Sequence, residues 1–576
     1  MPSLSRSPLT WTISLTVGGI LAAAACSPAP GPAPGAREAP APVAPAAPVA
    51  PGAATAAVLK LPDHDPKAQY GGKLQIGSDR PVESLLSYPD ASSNPGVYLT
   101  KIMYEPLLWM HMDTFPKDYR DNYFVAPLLA ESWELKDPTT YVFKIRQGVK
   151  WHDGEEFTAE DPAWSYDHLR DPKNTFPTRS FIDGLATSRV IDKYTLELKS
   201  KLPDNRFLTS LANERVSIWP KHVVAGGKGD LTKQPVGTGP YKFKAWTSKV
   251  EISYARNEQY WGKRPYLDEM RYVTNLDRAA VTAAFITKQS DVMQLPDKAQ
   301  ADAIARQAPD AVLTGYVRLR EVSMFMKLDK PPFNDIRVRK ALHLALDRKS
   351  QNDTLSFGLG IANPPGINGR RIDWAIPQEE LLKLPGYRQP KDQDIAEAKK
   401  LLAEAGFGSG LKFTLRADSR HSTGPKQAEY LAEDLKAAGF DIKLEIMERA
   451  AFRKAFSEGD YEAVVETGSD WDPTEYWFNT LLSTGSENKA PINDKELDGL
   501  IEANIQAVDT AKQKQTAQAL QRLLLDKLYL IPTITYSSFT AFQPYLHGWT
   551  INFGGSPSTE QWYYVWVEKD KLPPGR

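Results

Sequence analysis

The most informative patterning of the chain lies between Leu128 and Leu169. Tyr141, Phe143 and Ile145 alternate with Val142, Lys144 and Arg146, the period of a half-buried strand. Trp133 and Leu135 fall on a partner strand, and Lys136-Asp137-Pro138-Thr139 supplies turn chemistry between the two. His152-Asp153-Gly154 reads as a second turn. Thr158 with Asp161 three residues on resembles a capping box, so a helix should begin near Ala159. Spacing alone therefore predicts a β-β-α unit.

Other segments follow the same two periods. Lys73 to Ile76 reads as a short strand, and Val97 to Trp109 as a helix broken at Pro106. Tyr194 to Leu198 alternates again. Pro235 to Trp246, PVGTGPYKFKAW, is a glycine-rich turn entering a strand; it lacks the Lys-Ser/Thr of a phosphate loop and opens no helix, which argues against nucleotide binding. Glu251 to Tyr254 is extended, and Asn257 to Val273 is aromatic-rich and ends in a strand. After Tyr316 the texture changes. Val322 to Leu328 is a strand, and Asn334 or Asp335 can cap a helix from Ile336 to Arg348. Two helix-glycine-strand units come next, Ile395 to Leu415 and Gln427 to Ile446, with Gly406 and Gly439 at the helix ends. Such alternation predicts an α/β lobe. A long helical region runs from Glu496 to about Leu528, Ile531 to Phe542 is extended, and Trp562 to Val567 closes the chain.

Composition narrows the class. A chain of 576 residues can bury two or more cores. Lys+Arg 70 against Asp+Glu 71 leaves no basic field for nucleic acid. Aromatics reach 10%, including 14 Trp, which suits both cores and pockets. The single cysteine, Cys26, excludes an intramolecular disulfide and a cysteine-rich metal site. It follows a polar start containing Arg6, an apolar run from Ile13 to Ala25, and small residues from Ala22. Residues 1–26 thus read as a secretory signal. It resembles a bacterial lipoprotein signal in which Cys26 is lipidated, although Ala23 stands where such signals prefer Leu; the alternative is ordinary cleavage after an A-x-A site. The apolar run is short for a transmembrane span. From Ser27 the sequence is almost all Pro, Ala and Gly to about Ala57, and residues 27–67 read as an extended tether.

The motifs LLAESWE, YVFKIRQGVKWHDGEEFTAED, PVGTGPYKFKAW, NEQYWGKRPYLDEMRYV and FNDIRVRKALHLALDR occur in that order, followed by the two helices ending in AGF. Together they resemble family 5 extracytoplasmic solute-binding proteins, the peptide- and nickel-binding components of ABC importers. The resemblance covers roughly residues 70–570. It implies an α/β, two-lobed periplasmic-binding-protein-like fold of class II type, with an extra subdomain inserted in the first lobe. The implied limits are 68–318 for lobe I, 319–539 for lobe II and 540–576 for the return to lobe I. The chain would cross between lobes near Val317–Leu328 and Pro532–Gln543. Ligand would sit in the interlobe cleft, and hinge closure would bury it. The implied partners are a peptide or other small solute, the permease subunits of an importer, and the membrane through the lipid anchor; the protein would be an extracytoplasmic monomer with no cofactor.

The best candidate for ligand contact is Ser469 to Trp477, SDWDPTEYW. Asp472-Pro473-Thr474-Glu475 has the form of a helix start, which gives Asp472 a structural reason. Asp470 has none. In peptide-binding relatives an acid in this segment pairs with the ligand α-ammonium, a charge-assisted contact that ignores side chains. That acid stands four residues before the proline, where this chain has Ser469; either the loop shifts by a residue or the contact is missing. Trp471, Tyr476 and Trp477 can line an apolar cavity or serve the core. Ser93 and Asn94 match the first-lobe rim, or a simple polar loop. Arg420, after a strand and before a helix, could meet a ligand carboxylate or face solvent. An oligosaccharide, opine-like compound or metal chelate is the alternative ligand. A secreted hydrolase is the remote one, since no H-E-x-x-H or G-x-S-x-G occurs, and His152-Asp153 reads as packing or capping rather than a metal site.

Overall fold

The computed structural model describes residues 65–79, 82, 102–110, 125–174, 176–227, 229–274, 276–295, 297–317, 322–358, 360, 362, 364–367, 374–419, 423–467, 473–485, 488–507, 509–549, 561–573 and 576. Ser93, Asn94, Arg420, Asp470, Trp471, Asp472 and Cys26 lie outside them.

The fold is mixed α/β, built on three main sheets. The first has seven strands among the described residues. In spatial order they are Val312–Val317, Ser537–Phe542, Val292–Leu295, Lys73–Gly77, Glu269–Val273, Glu251–Arg256 and Tyr241–Thr247. The second has five: Phe440–Met447, Leu411–Asp418, Ala463–Thr467, Val322–Met326 and Leu530–Pro532. The chain passes from the first sheet to the second between Val317 and Val322, and returns between Pro532 and Ser537.

Both sheets are covered on both faces. Along Val322–Met326 every side chain is buried, yet Val322, Met324 and Met326 enter one core while Phe325 enters another. Alternation of side chains across a strand accounts for this division. In the first sheet Val292 packs into one cluster and Met293 and Leu295 into a second.

The third sheet, Ala130–Asp137, Thr140–Ile145, Thr195–Ser200 and Leu185–Asp192, is antiparallel throughout and forms a subdomain with its own core. The predicted hairpin is present, with Trp133 opposite Phe143 and Leu135 opposite Tyr141. Its turn is held by Asp137 Oδ1, which accepts the Thr139 amide and hydroxyl, both at 2.9 Å. Half of the expected capping box forms: the Thr158 amide donates to Asp161 Oδ2 at 2.9 Å, while Thr158 Oγ1 accepts the Glu160 amide at 3.3 Å and the Asp161 amide goes to the Thr158 backbone oxygen at 3.2 Å. The helix runs from Glu160 to Arg170, one residue past the expected start.

One expectation fails. The described part of Val97–Trp109 is not helical: Leu108–Met110 is a strand paired with Val125–Pro127. The cause is remote in sequence. Glu105 is fully buried, and its carboxylate accepts the Thr238 hydroxyl (2.8 Å), Tyr260 hydroxyl (2.7 Å), Trp261 indole (3.0 Å) and Tyr563 hydroxyl (3.3 Å). Those four donors hold the side chain, and the backbone carbonyls of Ile102, Met103, Glu105 and Leu107 accept the amides of Tyr241, Gly239, Ile218 and Ala130, so remote partners replace a helical ladder here. Gly237, in the predicted glycine-rich turn, runs against this segment; a Cβ there would lie 1.9 Å from the Met103 carbonyl oxygen. The long helical region divides in two, Lys495–Gln506 and Thr510–Lys527, with Asp509 capping the second through the Lys512 amide.

Candidate functional site

Strand direction locates a crevice. Lys73–Gly77 runs parallel to Glu269–Val273 and to Val292–Leu295. Val292–Leu295 and Val312–Val317 are both antiparallel to Ser537–Phe542, so all four share one direction and one carboxyl edge. In the second lobe Leu411–Asp418, Phe440–Met447 and Ala463–Thr467 are parallel. Thr467, the last residue of its strand, pairs with Val322, the first residue after the passage from lobe I. The carboxyl edges of both sheets therefore meet at the crossing, the position where open α/β sheets bind ligands.

Contacts bridge the lobes on either side. Asp297 caps the helix Lys298–Gln307 by accepting the Gln300 amide at 2.9 Å, and also takes the Lys426 ammonium from the second lobe at 3.0 Å. Burial alone would raise this carboxyl; the amide and the ammonium outweigh it and hold the group below its ordinary value. Lys298 Nζ sits 5.4 Å from the Phe357 ring. On the subdomain side, Asn205 docks on the C-terminal end of Lys495–Gln506. Its amide donates to the Ile505 oxygen at 3.0 Å, and its Nδ2 to the Asn504 oxygen at 2.7 Å. Carbonyls at a helix end lack intrahelical donors, so an asparagine fits there. Next to it the Arg206 guanidinium lies 4.1 Å from the Phe478 ring centroid and pairs with Asp204 at 2.7 Å. A cavity of about 650 Å³ lies beside these contacts, between the subdomain and the second lobe.

The strand Ala463–Thr467 leads through 468–472 into a helix, Pro473–Tyr476, which continues as a π-helical turn, Trp477–Leu481. Trp477 has no exposed surface. Its indole N–H donates to the Gly366 oxygen at 2.6 Å, and its ring stacks on Trp374. Gly366 has φ +76°, and a Cβ there would lie 2.7 Å from the indole nitrogen. Tyr476 is buried in the same core. The next residues, Phe478 and Asn479, line the cavity instead.

Residues 125–489 match the family model for bacterial extracellular solute-binding proteins, family 5. The chain belongs to this family. It is 28% identical over 460 residues to heme-binding protein A of Haemophilus influenzae, covering 74% of this chain and 81% of that one. It is also 28% identical over 464 residues to the periplasmic oligopeptide-binding protein OppA of Salmonella typhimurium, covering 74% and 82%. The ABC transporter substrate-binding protein CtaP of Listeria monocytogenes has the same fold, with TM-score 0.74 at 22% identity over 87% of this chain and 100% of that one.

As a family 5 protein the chain has the periplasmic-binding-protein fold that its motifs imply. Of the sequence-predicted site residues, those described are Tyr476 and Trp477, and both side chains pack in the second-lobe core. His152 has a structural role: Nδ1 accepts the Gly237 amide at 3.2 Å and Nε2 faces the Gly239 oxygen at 3.0 Å. This fixes the neutral tautomer with the proton on Nε2, and burial pushes the ring down to about 4. Asp153 turns away to meet His222 Nε2 at 2.7 Å. Sequence reasoning missed the cavity and Asn205. Their walls come from segments some 300 residues apart, and neither has a local signature.

Proposed function

We propose that this family 5 protein is the extracytoplasmic substrate-binding component of an ABC importer. It captures a peptide or peptide-like solute between its lobes, closes over it about the two passages at 317–322 and 532–537, and presents it to a membrane permease. The observation that carries this reading is the meeting of both carboxyl strand edges at a double crossing, bridged by Asp297–Lys426 on one side and Asn205–Asn504 on the other. The peptide assignment draws on the oligopeptide-binding relative. Within the proposal, Asp470 anchors the ligand ammonium, Trp471, Asp472, Ser93, Asn94 and Arg420 contribute to the cleft, and Cys26 anchors a monomer to the membrane by lipidation. The heme-binding relative and the displaced acid at Asp470 favour a second reading, in which the same scaffold holds a non-peptide solute.

Ligand that binds only the folded state raises its stability by mass action. A peptide library is expected to raise the melting temperature and to change tryptophan fluorescence on closure. If neither quantity moves, the peptide assignment is withdrawn.

A further inference from the structure

The passage from the second lobe back to the first is gripped by lobe II. Gln427 is fully buried; its Nε2 donates to the Thr533 hydroxyl and its Oε1 accepts the Tyr536 hydroxyl. Ser356, equally buried, takes the Ser537 amide on its Oγ at 3.3 Å and the Ser537 hydroxyl on its carbonyl at 3.1 Å. Ser537 is also the residue paired with Val317 in the lobe I sheet, so the grip of one lobe and the ladder of the other meet on it. The residues next to the two grips are the ones that touch lobe I: Lys426 reaches Asp297, and the Phe357 ring lies 5.4 Å from Lys298 Nζ. We propose that Asp297 and Lys426 form an ionic latch that sets the resting angle between the lobes before any ligand enters. This assignment rests on the two-passage hinge of the proposed function and not on the chemistry of the ligand.

Three observations carry it. The first is the way the carboxylate is held. Asp297 divides its oxygens: Oδ1 accepts the Gln300 amide at 2.9 Å, capping Lys298–Gln307, and Oδ2 accepts the Lys426 ammonium at 3.0 Å. Only 15% of its side chain is exposed, against 52% for Lys426. A carboxylate already fixed by its own helix loses little freedom on pairing, which lifts the contact above an ordinary surface pair. The Arg278 guanidinium, 2.9 Å from the Gln300 side-chain oxygen, adds positive potential on the same side, while Lys298 is taken up by Asp302 at 2.7 Å.

The second is the place of the lysine. Lys426 lies in the first turn of Thr423–Lys436, where the partial positive charge of the helix end opposes a cation. The carboxylate of the other lobe offsets that cost.

The third is leverage. Lys426 adjoins Gln427, so its backbone follows the passage. Asp297 follows the lobe I sheet, because the strand just before it, Val292–Leu295, pairs with Ser537–Phe542. Rotation at the passage therefore changes the separation of the two charges, and their attraction favours one angle over the others. Since only the binding-competent fraction of the protein takes up solute, the latch scales the apparent affinity for every solute by the same factor.

The test uses the full mature chain carrying Cys26→Ser, with spin labels on cysteines introduced at two exposed positions, Gln307→Cys in lobe I and Lys400→Cys in lobe II. Pulsed electron resonance reads the interlobe distance distribution without ligand. Asp297→Asn keeps a capping side chain, and Lys426→Met keeps the length of the stem. Each is expected to move the ratio of short to long distances about two- to fivefold from wild type, and the double variant by no more than either single one. Raising NaCl from about 0.05 to 1 M shortens the screening length to about 3 Å; it is expected to move wild type the same way and to leave the double variant where it is. If either single variant keeps the wild-type distribution, if the two shifts add in the double variant, or if salt moves wild type and double variant equally, the latch falls. A peptide library added to wild type separates this from the hinge itself. Should the library move the distances, the hinge reading stands even where the latch has fallen. Should neither library, salt nor substitution move them, the hinge reading fails and takes the latch with it.

Discussion

The stretches Leu128–Leu169 and Ala463–Leu481 both begin in strands and end in helices, and both are rich in aromatics. In the first, the contacts that make the structure are mostly short in sequence. Asp137 holds its own turn, Asp161 accepts the Thr158 amide, and Trp133 faces Phe143 ten residues on. In the second, Trp477 is fixed by Gly366, 111 residues away, and Phe478 meets Arg206 from a different lobe. One stretch builds a scaffold from local rules. The other takes its shape from what the whole chain brings to it, and the proposed specificity resides there.

That contrast breaks most readily at Phe143, which is fully buried in the subdomain core. Phe143→Ala should cost about 3–5 kcal/mol of stability, read as a lower denaturation midpoint. The ratio of affinities for two different peptides should not change. A changed ratio would mean that the scaffold stretch takes part in selection.

Asp470→Asn should do the reverse. The melting temperature without ligand should hold, while affinity for peptides with a free amino terminus falls about 10- to 100-fold. N-acetylated peptides should lose nothing further. Equal affinity before and after substitution would separate this chain from an ammonium-anchoring mechanism and favour a non-peptide solute.

The smallest effect concerns His152. Its ring titrates near 4 in the folded protein against about 6.5 in an unfolded chain. Between those values the unfolded state binds more protons, so stability rises with pH and is lost on acidification from about 6.5 to 4. His152→Gln should flatten this dependence by up to roughly one proton in the slope, measured by denaturation across that window. An unchanged slope would mean that the Gly237–Gly239 turn does not hold the ring neutral.

Much of the architecture was legible because it depends on near neighbours. A helix from Ile336 to Arg348 was expected with Asn334 or Asp335 as its cap; Asp335 takes that place by accepting the Arg337 amide, and the helix ends at Ala345, with Arg348 opening the next one. The helix-glycine-strand units appear as Asp392–Glu404 with Leu411–Asp418, and Thr423–Lys436 with Phe440–Met447. The segment before Trp109 misled because Glu105 answers to donors at 238, 260, 261 and 563, which no local period encodes. Tyr476 and Trp477 were read from the sequence as candidates for a cavity wall, with one or two of the segment's three aromatics assigned to the core. Their burial depends on Gly366 and Trp374, and on a π-helical turn without a sequence signal. Asn205 was invisible for a related reason: its partners are backbone carbonyls of a helix whose C-terminal end is set by the break before Asp509.

The central claim, capture of a peptide between closing lobes, is tested most directly by native mass spectrometry of the protein purified from cells without denaturation. The account predicts a protein-plus-adduct mass whose adduct, released by denaturation, fragments into amino-acid residue masses. An adduct without amino-acid residue masses, such as a porphyrin or a glycan, would contradict it.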